Sequence, residues 1–110
     1  MIREYILLKE SNQTSNHTKR TYKIFDIDFV VFNSKKIDFK TAIKQIETKI
    51  PQSLFQNIER IIVYELKEFK ERNINALYKN NIIYISPNQD DINDVIDDII
   101  HELAHSLEEI

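Results

Sequence analysis

The 110-residue chain contains no cysteine, no glycine and no tryptophan, and only two prolines. Without cysteine there is no disulfide framework, no thiolate metal ligand and no thiol nucleophile, so histidine and the carboxylates are the side chains left to hold a metal ion. The same absence suits a reducing compartment. Without glycine, turn positions that need the left-handed conformation fall to asparagine, which tolerates it. An excess of one charge is missing too: 15 Lys and Arg face 18 Asp and Glu, a net charge of −3. No basic field exists to hold a phosphate backbone, which argues against nucleic acid as a partner. The apolar run near the start, Tyr5-Ile6-Leu7-Leu8, follows an acidic Glu4 and is too short for a signal peptide or a membrane span. The chain reads as cytoplasmic, with no membrane partner.

What is present is a hydrophobic fraction of 42%, with 10% aromatic residues. That suffices for a single domain over residues 1–110 with a real core, and leaves no room for a second domain. Residues 2–9 read as a strand. A polar stretch over residues 10–20 leads to residues 22–32, where β-branched and aromatic side chains crowd together, and the two segments are expected to pair as a hairpin. From Asp38, a good N-cap residue, the apolar positions Phe39, Ala42, Ile43, Ile46 and Ile50 recur at helical spacing until Pro51 ends the run. Residues 60–66 read as another strand, followed by a charged connection. Residues 76–79 and 82–86 flank Asn80-Asn81 and predict a second hairpin. The fold class is therefore α+β, a small mixed or antiparallel sheet with hairpins packed against two main helices, residues 38–50 and 90–109.

The second of these helices carries the chemistry. Ile92, Val95, Ile96, Ile99, Leu103 and Leu107 form its apolar stripe. His101 and His105 fall roughly 160° from the centre of that stripe, beside Asp94, Asp98 and Glu108, so they point away from the core. Two histidines at i and i+4 stand one turn apart on one face, close enough for both imidazoles to reach a single cation. Glu102, next to the first of them, is placed to take a proton from water acidified by zinc and to return it to a leaving amine.

Through His101-Glu102-Leu103-Ala104-His105 and the uncharged flanks Ile99, Ile100, Ser106 and Leu107, the chain resembles the zincin superfamily of zinc metallopeptidases. The order of residues 78–86 followed by residues 90–109 also resembles the edge strand and active-site helix of that superfamily. The resemblance implies a zincin-like N-terminal subdomain, Zn2+ as cofactor, His101 and His105 as metal ligands, and Glu102 as general base. It also implies hydrolysis of a peptide or protein substrate held in extended form. Physically, an edge strand captures a peptide by adding it to the sheet through main-chain hydrogen bonds.

The chain departs from that pattern in its third ligand. Catalytic zinc takes three protein ligands, and the metzincin extension would need glycine where Glu108 stands. Glu108 and Glu109 follow on the same helix, but a rise of about 1.5 Å per residue carries them too far along the axis to close a tetrahedron with both histidines. The helix also ends on negative charge without a closing residue. The expectation is a fragment whose missing C-terminal part supplies the ligand. His17 in the polar loop, Asp98 as an orienting carboxylate and Tyr84 as an oxyanion donor are weaker candidates. Two other functions fit the same residues: a zincin-like binding or regulatory module without turnover, and a metal-free interaction domain that uses the acidic helix face.

Overall fold

A computed structural model describes residues 19–32, 37–89 and 91–108 of the protein. Among these residues, five strands form one mixed sheet: β1 (Lys19–Ile24), β2 (Ile27–Phe32), β3 (Arg60–Val63), β4 (Ala76–Lys79) and β5 (Ile82–Ile85), in the spatial order β1-β2-β3-β5-β4. The central strands β2, β3 and β5 are parallel, whereas the flanking pairs β1/β2 and β4/β5 are antiparallel hairpins. The helices are α1 (Phe39–Lys49), the short α2 (Lys67–Arg72) and the long α3 (Ile92–Glu108). The fold is α+β, and among the described residues no helix is long and apolar enough to cross a membrane.

Alternation along the strands builds two apolar layers. Phe29, Val31, Ile61, Val63, Ile83 and Ile85 point to one face, where they meet Phe39, Ala42, Ile43 and Ile46 of α1 and Val95, Ile96, Ile99 and Leu103 of α3. Val30, Phe32, Ile62, Ile82 and Tyr84 point to the other, together with Leu66 and with Phe69 of α2. The central strands are buried on both faces over most of their length, and Phe29–Phe32, Ile61–Val63 and Ile82–Ile85 read as apolar runs, as parallel strands do. α1 begins as expected: the Asp38 carboxylate accepts from the Thr41 N–H at 3.2 Å and the Thr41 hydroxyl at 2.7 Å.

Turns explain how a chain without glycine closes its hairpins. Among the described residues four have positive φ, and three are asparagines: Asn73 caps α2, while Asn80 and Asn81 form the β4/β5 turn at φ 51° and 69°. The fourth, Phe25 at φ 54°, corrects the sequence reading. Residues 22–32 are not one strand; β1 and β2 pair with each other, Ile24 opposite Ile27, across a turn at Phe25 and Asp26. Tertiary contacts hold a bulky residue there: the Phe25 N–H donates to Glu47 of α1 at 2.7 Å, and its ring packs edge-on to Phe55 at 5.2 Å. The strand expected over residues 2–9 lies outside the described residues. The charged connection after β3 folds into α2, closed by a left-handed Asn73 whose N–H bonds back to Lys70 and Phe69.

Candidate metal centre

α3 packs on the sheet beside β5 and the edge strand β4, and this placement creates a cleft of about 550 Å³. Its walls are Glu68, Arg72 and Ile74 on one side, Ala76–Lys79 of β4 along the edge, and His101, Glu102, His105 and Glu108 from α3. The helix is phased by burial of Val95, Ile96, Ile99 and Leu103. That stripe differs from the expected one at its ends: Ile92 and Leu107 are only partly buried, whereas Glu102 and Ser106 are buried. The reason is lateral packing: Glu102 faces the edge strand, and the Ser106 hydroxyl is satisfied by the Leu103 carbonyl at 2.6 Å. Asn57 steadies the end of the helix by donating its side-chain amide to the Ser106 carbonyl at 3.2 Å.

The structure brings together the three residues of the motif. His101 and His105 are exposed at the cleft, and their Nε2 atoms lie 3.1 Å apart. One ligand atom from each of His101, Glu102 and His105 falls within 4.8 Å of the others, a group able to hold a metal ion. The two rings meet through Nε2, and Nδ1 of His105 faces Glu108 Oε1 at 3.5 Å. A carboxylate in that position favours the tautomer with its proton on Nδ1 and the lone pair on Nε2.

Glu102 is only 6% exposed. Burial raises its pKa above the ordinary value of 4.5; the two imidazoles oppose that shift, the Asp98 carboxylate adds to it, and a hydrogen bond from the Tyr78 main-chain N–H opposes it. A carboxylate with a raised pKa is a stronger proton acceptor, which suits a base more than a ligand.

The remaining candidates divide. Asp98 is half-buried and its pKa is raised chiefly by that burial, but its Oδ2 accepts from the Gln89 side-chain amide at 2.7 Å. It ties the loop before α3 to the helix, on a side of α3 shared with Asp94 and Asp97. Tyr84 belongs to the opposite face of the sheet, fully buried, and does not line the cleft. His17 and Glu109 lie outside the described residues. Sequence reasoning missed Glu68 and Arg72, because the six residues of α2 are too few to show a helical period. It also missed the burial of Glu102, for which the spacing Val95, Ile99, Glu102, Ser106 is itself a helical signal.

Comparison of the chain with protein-family models, with curated proteins and with solved structures gave no match.

Proposed function

We propose that the protein is a zinc-dependent peptidase of the zincin type, with His101 and His105 as metal ligands and Glu102 as general base. The observation that carries this reading is the convergence of two imidazole Nε2 atoms beside a buried carboxylate in an open cleft. Two nitrogens bound to one tetrahedral zinc at 2.0–2.1 Å stand about 3.3–3.4 Å apart, and the observed 3.1 Å fits that requirement. Nitrogen donors without sulfur also suit zinc in a catalytic setting.

When bound, zinc supplies Lewis acidity to water and to a substrate carbonyl. The chain's own residues do the rest. His101 and His105 donate their Nε2 lone pairs, and Glu108 orients the second ring from its Nδ1 side. Glu102 takes the proton from the attacking water and returns it to the leaving amine, and its burial, which raises its pKa, makes it the better proton acceptor. Among the described residues β4 is the outer strand of the sheet, and it lines the cleft, where it can align an extended peptide by main-chain pairing. A cytoplasmic location belongs to the same proposal and rests on the lack of cysteine.

A second reading is a metal-binding module without turnover. It is favoured by the composition of the cluster, in which two histidines and the base make up the whole group found among the described residues. Elemental analysis of protein purified without chelator, beside the His101→Ala, His105→Ala double variant, tests the site: about one zinc per chain, lost in the variant, is expected. A Glu102→Gln protein that keeps its zinc and loses at least about 100-fold of peptide hydrolysis supports the enzyme. Zinc in both proteins with no hydrolysis of any peptide in a mixed library leaves the binding module. No zinc in the unsubstituted protein overturns both.

A further inference from the structure

The β4/β5 register fixes which main-chain groups of the edge strand look toward β5 and which look away. Ser86 donates to the Asn75 carbonyl at 2.8 Å, and Asn75 stands one position before the pair Ala76–Ile85. In an antiparallel ladder the bonded pairs alternate, so Asn75, Leu77 and Lys79 bond to β5, while the N–H and C=O of Ala76 and Tyr78 point outward from the sheet. An outward amide on an edge strand ordinarily finds water or an added strand. Here α3 lies against β4, Tyr78 and Glu102 line the same cleft, and the Glu102 side chain is almost fully buried there.

We propose that the outward main-chain N–H of Tyr78 is the positioning group for the Glu102 carboxylate, so that the edge strand, and not the helix alone, sets the direction of the base. The role assigned to Glu102 rests on the peptidase reading above; the contact itself does not. One carboxylate oxygen is held by the strand, which leaves the other to face the space in front of His101 and His105. This arrangement explains why a carboxylate so close to two imidazole nitrogens acts as base instead of third ligand: a bond to a main-chain donor restrains its approach to the cation. It also limits strand capture, because a peptide added to β4 finds the Tyr78 amide already engaged and pairs through Ala76 and the Tyr78 carbonyl.

Residue-resolved amide hydrogen exchange on the metal-free protein tests the contact without reference to activity. The Tyr78 amide is expected to be protected, to exchange at least about 10-fold faster in Glu102→Ala, and to stay protected in Glu102→Gln, whose side-chain oxygen still accepts. Leu77 and Lys79, bonded to β5, report whether the sheet is intact and are expected to be unchanged. Equal Tyr78 exchange in the parent and Glu102→Ala proteins, with Leu77 and Lys79 protected in both, overturns the proposal. The functional arm compares Tyr78→Pro with Tyr78→Ala. Both lose the phenol, but only proline removes the N–H, and at an outward edge position it breaks no ladder bond. A kcat at least about 10-fold lower in the proline variant, with zinc content and KM matching the alanine variant, is expected; equal kcat values overturn the positioning role. If no peptide is hydrolysed even by the parent protein, the peptidase reading falls, and the exchange result still decides whether Tyr78 holds Glu102.

Discussion

The imidazoles of His101 and His105 face each other Nε2 to Nε2 across 3.1 Å, with their ring planes at 89°. Two neutral rings so placed share one proton, one donating and the other accepting. A cation that replaces that proton is met by both lone pairs at once. The pair is therefore so placed that a single metal ion could meet both lone pairs, on residues that the helix sets one turn apart.

Both histidines are expected to be needed for zinc. His101→Ala and His105→Ala are each expected to weaken zinc binding by at least about 100-fold, read by competition with a chromophoric chelator. Zinc affinity unchanged in either variant speaks against that residue as a ligand.

Glu102 is expected to lower stability at neutral pH when no metal is bound. Its pKa is raised in the folded protein, chiefly by burial, so the unfolded chain ionises more readily than the folded one. The stabilising contribution is complete below the ordinary value of 4.5 and is lost as pH rises through the raised folded value. Metal-free Glu102→Gln should therefore melt up to about 5 °C higher than the parent at pH 7. That advantage should vanish below about pH 4, where both side chains are neutral. A lower Tm for the variant at pH 7 would contradict burial as the governing effect.

Adjacent isoleucines on α3 should behave differently. Ile99 is fully buried between α3, α1 and the sheet, whereas Ile100 is 45% exposed. Ile99→Ala is expected to cost about 2–5 kcal/mol in urea unfolding, and Ile100→Ala within about 0.5 kcal/mol. Comparable costs would mean that the helix is rotated from the phase that presents His101 and His105 to the cleft.

The Asn80-Asn81 turn sets the β4 register and thereby the orientation of Tyr78. Asn80 sits at φ 51°. Asn80→Val is expected to lose about 1–2 kcal/mol, since a β-branched residue resists the left-handed conformation. Asn80→Gly should be neutral or slightly stabilising. Thermal unfolding of the two variants separates them, and a tolerated valine would show that the turn does not depend on this conformation.

Much of this molecule was legible from local pattern. Helix α1 follows from Asp38 and the spacing of Phe39, Ala42, Ile43 and Ile46; the β4/β5 hairpin follows from two asparagines between apolar runs; α3 and its paired histidines follow from one periodicity. The β1/β2 turn was not legible, because Phe25 carries no turn signal of its own. It is held left-handed by Glu47, 22 positions away, and by the Phe55 ring. α2 was missed for a related reason: six residues are too few for helical periodicity, and it is anchored by burial of Phe69 and the cap at Asn73.

By itself the sequence determined the α+β class, the identity of the clustered residues and the helical face on which both histidines lie. These depend on spacing within one element, which a helix of 3.6 residues per turn converts directly into direction. Only the tertiary structure decided the order of the strands, the position of β4 at the edge and the burial of Glu102 against it. Those properties depend on which distant segments meet, and no local periodicity encodes them. The histidines can thus be read from the chain, whereas the burial that raises the Glu102 pKa exists only once strand and helix have packed together.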